Sequence, residues 1–198
     1  IGAMVIAPLL GPVVATAFAS TLGDGRLLRA ASRTASIGMG LAFLLSVLIG
    51  YIWPMDIARG EMLIGSTELL ARTDVGLDGV ALALASGAAA VLSLTTGLST
   101  ALIGVMVAVA LLPPTATMGL LLGAGMPELA LGALLLLAVN VVCVIVAAMV
   151  VFHSRGVAPR TWYEQQKARQ STALAKLVWA VLLVVLVVLV FLRQYASF

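Results

Sequence analysis

Apolar residues fill this chain in long blocks, and its charged residues gather in the gaps between them. A bilayer's hydrocarbon core is about 30 Å thick and takes about 20 helical residues to cross. Six blocks meet or approach that length: residues 1–22, 35–53, 80–94, 98–122, 129–152 and 174–192. The pattern predicts an all-α, polytopic transmembrane helical bundle. The block at 80–94 is short, and Ser93, Thr95, Thr96 and Gly97 at its end predict an early helix stop or a close turn. The block at 174–192 is almost entirely Val and Leu, with Ala180 its one small residue from 177 onward. Helices buried in a membrane bundle use Gly, Ala, Ser and Thr to approach one another, so this one is expected at the periphery, against lipid. Trp179 and the pair Trp162 and Tyr163 are the expected interface anchors.

The basic residues set the orientation. Arg26, Arg29 and Arg33 follow the first block, and Arg155, Arg160, Lys167, Arg169 and Lys176 follow the fifth. Residues 54–79 instead carry Arg59 and Arg72 against Asp56, Glu61, Glu68, Asp74 and Asp78. Cytoplasmic loops are enriched in Lys and Arg, so simple crossings put the loop 54–79 outside and the loop 153–173 inside, and every loop obeys the rule. A re-entrant hairpin at 98–122 would turn the most basic loop outward and is disfavoured.

Composition agrees with a lipid environment. The chain is 63% hydrophobic and 10% charged, against about 25% charged in a soluble domain, and its mean hydropathy is +1.20. The formal charge of +3 comes from the two basic loops, so no nucleic-acid partner is expected. The single cysteine, Cys143, lies in an apolar run, forms no intrachain disulfide and reads as a small hydrophobe. The chain opens at Ile1 inside an apolar block with no basic n-region or cleavage motif, so the opening reads as a fragment of something longer rather than a signal peptide.

One block occurs twice. Ile1-Gly-Ala-Met-Val-Ile-Ala-Pro-Leu-Leu-Gly-Pro12 lies over Ile103-Gly-Val-Met-Val-Ala-Val-Ala-Leu-Leu-Pro-Pro114, with Ile, Gly, Met, Val, Leu, Leu and the last Pro coincident. The same offset pairs Gly23 with Gly125 and Leu27 with Leu129. Two spans separate the copies, so they run in opposite directions and the unit is three spans long. Residues 80–152 are then one complete repeat: helix 80–94, broken helix 98–122 and helix 129–152. Residues 1–53 are the remainder of the other, with a broken helix 1–22, a helix 35–53 and its first span missing from this chain. The peripheral transmembrane helix 174–192 stands apart. Inverted repeats with discontinuous helices recur in secondary transporters.

The runs Gly2-Ala-Met-Val-Ile-Ala-Pro-Leu-Leu-Gly-Pro12, Gly23-Asp-Gly-Arg-Leu-Leu-Arg29, Ala85-Ser-Gly-Ala-Ala-Ala90 and Gly97-Leu-Ser-Thr-Ala-Leu-Ile-Gly-Val105 resemble the bacterial and archaeal membrane family called domain of unknown function 389. Ala108-Val-Ala-Leu-Leu-Pro-Pro114 and the Leu-rich stretch with Asn140 extend the likeness over most of residues 1–151. The resemblance implies a multi-pass protein of a prokaryotic cell (inner) membrane, without settled chemistry and often with further sequence N-terminal to this region. The second copy departs from the family pattern at Gly123-Ala-Gly-Met126, where an Asp usually follows the Gly, so that Asp has no strict role in both halves.

Proline lacks an N–H and clashes with the carbonyl four residues back, so it opens a helix. Irregular backbone at membrane depth is tolerated only inside protein or beside a water-filled cavity. Pro8, Gly11 and Pro12 in one copy and Pro113 and Pro114 in the other fall near mid-span. Thr115 and Thr117 follow the second break, and Thr16 and Ser20 the first. Where the copies cross, half-helix ends would meet at the midplane; N-termini there favour a small anion and free carbonyls a cation such as Na⁺. Asn140, also mid-span, carries an amide that needs partners. The candidate substrate or ion site is therefore Pro8, Gly11, Pro12, Pro113, Pro114, Thr115, Thr117 and Asn140.

Two readings stand side by side. One is a secondary transporter or channel-like protein for a small solute or ion. The other is a structural or accessory membrane subunit, or an anchor, whose prolines shape a packing interface. No Asp, Glu, Lys or Arg lies in the middle of any span, which argues against carboxylate-based proton coupling. Asp24 and Glu128, at the loop ends of the copies, read as helix caps or interfacial charges. His153 sits at a membrane boundary, and neither a Ser/His dyad nor a metal-ligand spacing occurs. No enzyme activity, cofactor or metal is expected. The small-residue runs Gly38-Met-Gly40 and 85–90 allow close helix contacts, within the chain or in a homo-oligomer.

Overall fold

The computed structural model describes residues 2–52, 71–73, 76–96, 100–157 and 162–196, with backbone alone for 2–10, 77–78, 100–109, 162–170 and 194–196. These residues form six helices: α1 (Gly2–Leu22), α2 (Gly25–Ile52), α3 (Leu77–Thr96), α4 (Thr100–Gly123), α5 (Pro127–Ser154) and α6 (Trp162–Ala196). Most of the loop expected at 54–79 lies outside the described residues, as does the turn at Gly97. The stretches Gly25–Ile52, Gly79–Thr96, Pro127–Ser154 and Ser171–Arg193 are long and apolar enough to cross a membrane. Helices α1 and α4, of 21 and 24 residues, reach roughly 31 and 36 Å at about 1.5 Å per residue. This is the build of a multi-pass membrane protein.

Three helices outrun the apolar blocks that predict them. Helix α3 runs from Leu77 to Thr96, past the block at 80–94 at both ends, and its last residue falls in the run of Ser93, Thr95, Thr96 and Gly97 expected to end it. Helix α6 begins at Trp162, which converts most of the loop expected at 153–173 into helix. Its first turns are rich in good helix formers, Glu164, Gln165, Gln166, Lys167, Ala168 and Arg169. Helix α2 starts at Gly25 because Asp24 caps it: Oδ1 accepts the backbone N–H groups of Arg26 at 2.9 Å and Leu27 at 3.1 Å. Arg26, Arg29 and Arg33 therefore ride on a helix rather than in a loop. Loss of such a cap costs about 1 kcal/mol, so Asp24→Ala should lower the unfolding free energy by about that amount in detergent. Asp24→Asn, which keeps the acceptor, should not.

The turns joining α1 to α2 and α4 to α5 are built alike. Gly23 and Gly125 have φ of 69° and 77°, the left-handed conformation that closes a helix and favours glycine. The next N–H then reaches back into the helix, from Asp24 to the carbonyl of Ala19 at 3.1 Å and from Met126 to that of Leu121 at 2.8 Å.

Close contacts give the helix directions. Along α2 and α4, Gly119 lies against Phe43 and Ser46, Gly50 against Leu120, and Gly123 against Val47 and Tyr51, so these two run parallel. Gly79 lies near Leu136 and Gly87 against the backbone of Val144, so α3 and α5 are parallel as well. Phe18 and Phe152 meet edge to face, centroids 5.3 Å apart, at the C-terminal ends of α1 and α5. At the two ends of α5, Gly132 touches the Arg193 guanidinium and Phe152 lies beside α1, whose Ser20 bonds to Trp179 of α6. Odd-numbered helices thus run one way and even-numbered helices the other, as simple crossings require; the span at α4 is no re-entrant hairpin.

Helix α5 is the centre of the bundle and buries residues along its whole length, from Ala130 to Phe152. Helices α2 and α6 leave long rows of Leu, Ile and Val exposed, among them Leu41, Leu44, Leu48, Leu177, Val181 and Val184. In lipid, unlike water, such rows carry no penalty, and the peripheral place expected for the last helix is the one observed.

Candidate functional site

Helices α1 and α4 carry their prolines without interruption. This corrects the expectation of broken segments with half-helix ends at 8–12 and 113–114. The physical reason is visible at Pro114, whose freed carbonyl gains a donor from another helix; the threonine bonds nearby go to carbonyls that keep their own backbone donors. Thr16 Oγ1 donates to the Pro12 carbonyl at 2.8 Å, and Thr115 Oγ1 donates to the Leu111 carbonyl at 2.8 Å. The third bond comes from another helix. Pro114 has no N–H for the carbonyl four residues back, which is that of Ala110, and Asn140 Nδ2 of α5 donates to that oxygen at 2.7 Å. A side-chain amide thus stands in for the backbone donor that proline removes.

The segments flanking Pro12 and Pro113 come together. Val13, Val14 and Ala17 of α1 share one buried cluster with Leu111 of α4, Val144, Ile145 and Ala148 of α5, and Ala90 and Val91 of α3. Pro114 and Thr115 are fully buried, Thr117 is buried beyond them, and Pro12 and Pro113 are half-buried. Gly11 is not drawn in: it is exposed, and a Cβ added there would meet nothing within 4 Å. The Pro8 side chain lies outside the described ones.

Asn140 is the sharpest feature of this junction. It is 7% exposed, its Nδ2 is committed to Ala110, and its Oδ1 is buried without a hydrogen-bond partner among the described residues. Flipping the amide would set two acceptors face to face, so the assignment of Nδ2 and Oδ1 is fixed by the Ala110 carbonyl. A buried unpaired acceptor costs about 1–3 kcal/mol. The junction is therefore electrostatically one-sided: neutral oxygens with no charged group among them.

Other candidates fall into structural places. Asp24 is the cap of α2, and Glu128 is exposed in the first turn of α5, where an acidic residue complements the helix dipole. Cys143 is buried and free, and His153 is exposed at the end of α5. No cluster of three or more His, Cys, Asp or Glu side chains occurs among the described residues. Gly87 makes a contact within the chain, whereas Gly40 faces open space. Sequence reasoning missed one link: half-buried Trp179 turns inward, its Nε1 donating to Ser20 Oγ at 3.2 Å. Tryptophan near a span end signals the interface, and nothing local pairs it with a residue 159 positions away.

Comparison with known proteins extends to most of the chain. An uncharacterised protein of Methanocaldococcus jannaschii is 33% identical over 190 residues, which cover 96% of this chain and 57% of that protein. The chain thus spans little more than half the length of that relative. No solved structure matches. A family model described as domain of unknown function (DUF389) matches residues 4–146, well over half of the chain and most of its first five helices, and the chain belongs to this family.

Proposed function

We propose that this chain forms the core of a secondary transporter or channel-like protein for a small solute or ion, without enzymatic chemistry, whose site lies where α1 and α4 cross beside Asn140. The observation that carries the reading is the unpartnered Oδ1 of Asn140. A buried amide oxygen with no bond of its own can coordinate a cation such as Na⁺ or accept a hydrogen bond from the hydroxyl or ammonium of a small solute. An anion would meet the same oxygen unfavourably. Thr115 and Thr117, buried on the same helix, add neutral oxygens nearby in sequence. The inverted repeat is supported by the two glycine turns, whose backbone bonds recur at the offset of the duplicated motif. It is supported too by the pairing of α2 with α4 and of α5 with α1, each parallel.

One observation favours the rival reading of a structural or accessory subunit. Both proline helices are continuous, and Thr16, Thr115 and Asn140 answer neighbouring carbonyls. Reconstitution separates the two. The full-length protein in vesicles should carry Na⁺ or a co-screened solute, with flux reduced about tenfold in Asn140→Ala, as loss of one buried polar contact implies. Pro113→Ala should also alter the rate. If no solute moves while both variants assemble normally, only the structural reading remains.

A further inference from the structure

A groove of about 310 Å³ opens between α5 and α6, away from the proline junction and independent of the transport reading. Val146, Met149 and Val150 of α5 and Trp179 and Ala180 of α6 form its walls, and His153 and Lys176 complete the lining. The two helices are antiparallel, so the C-terminal turn of α5 and the start of the α6 span lie together; His153 and Lys176 therefore share one end, and the rest is apolar. The volume is at the small end of the roughly 300–1,000 Å³ typical of ligand pockets. Its polarity is graded along its length, which fits an amphiphile rather than a compact solute.

Position narrows the occupant. The polar end lies where α5 leaves the membrane, on the side bearing Arg155 and the basic start of α6, which the charge rule assigns to the cytoplasm. Basic pockets between transmembrane helices on that side receive anionic lipid head groups. The Trp179 ring is held in place by its bond to Ser20 and by packing against both buried clusters, so the groove has a fixed wall. We propose that it binds one anionic phospholipid, with the phosphate at Lys176 and His153 and an acyl chain along Val146, Met149, Val150, Trp179 and Ala180. The lipid joins α6 to a bundle that otherwise holds it along one side.

The test uses the full-length protein in detergent, titrated with phosphatidylglycerol or phosphatidylcholine while native mass spectrometry counts bound lipid. One tightly held phosphatidylglycerol is expected, preferred about fivefold or more over phosphatidylcholine. Lys176→Gln should weaken phosphatidylglycerol about fivefold, the effect of one basic residue near an anionic head group, and leave phosphatidylcholine unchanged. Ala180→Trp fills the groove without changing charge and should remove the tight lipid. Both positions are exposed, so each variant should keep the wild-type thermal midpoint measured without added lipid, while losing the increase that phosphatidylglycerol gives the wild type. Equal binding of the two lipids by the wild type, or undiminished phosphatidylglycerol binding in both variants, overturns the proposal.

Discussion

Replacing Gly119 by valine should remove most of the folded protein from detergent extracts. A Cβ at this position would sit 2.6 Å from the Ser46 Cβ and 2.7 Å from the Phe43 carbonyl oxygen. Phe43 contributes backbone here, which has no flexible end to swing away. Gly50 and Gly123 lie on the same face of contact, against Leu120 and against Val47 and Tyr51, so α2 can relieve the clash only by moving outward and giving up these contacts. Overpacking costs typically about 1–3 kcal/mol. With backbone as the obstacle we expect about 3 kcal/mol or more, a large part of the roughly 5–15 kcal/mol that holds a typical domain together. The readout is the monodisperse fraction and thermal midpoint, with Gly40→Ala as control, since a Cβ there meets nothing within 4 Å. Wild-type yield and midpoint for Gly119→Val would show that α2 and α4 are not packed this closely.

The second large effect is conditional. Asn140→Leu deletes the donor that serves the Ala110 carbonyl and should destabilise the bundle by about 1–3 kcal/mol. Pro114→Ala supplies that same carbonyl with its own helical N–H. In the Asn140→Leu background it should therefore recover about 1 kcal/mol more than it does in the wild type. The cavity left by the smaller side chain appears in both backgrounds and cancels in the double-mutant cycle. Denaturant titrations of the four proteins give the coupling. A coupling of zero means that Asn140 is not the substitute donor for Pro114.

Much of the fold is legible in the sequence because lipid makes the signal simple: a span is a long apolar block, and basic residues fix its direction. The apolar block at 129–152 marks nearly the whole of α5, and the repeat pairs Gly23 with Gly125, which share the left-handed φ. What stayed hidden depends on distant or local polar bonds. Asp24 is legible as a cap, but the Arg-bearing stretch 25–34 lacks the hydropathy that would mark it as the start of α2, and the polar start of α6 lacks it too although its helix propensity is high. At the candidate site, residue type and position single out Pro113, Pro114, Thr115 and Asn140, but not the bond that relates Asn140 to Pro114. Proline chemistry alone predicts an open helix; the amide of a third helix, 30 positions away in sequence, keeps it closed. The inward turn of Trp179 was equally out of reach, since an indole near a span end satisfies the interface rule without any partner.

The glycine contacts between α2 and α4 have a mechanical consequence. Where backbone meets backbone, no side-chain tips can bend to let one helix slide along the other, so the pair moves as one body or not at all. The joint between α4 and α5 is of another kind: side chains pack there, and its polar tie at Ala110 is one amide on a rotatable side chain. A turn of the Asn140 side chain would therefore act on α4 at the point where Pro114 has removed the helix's own hydrogen bond.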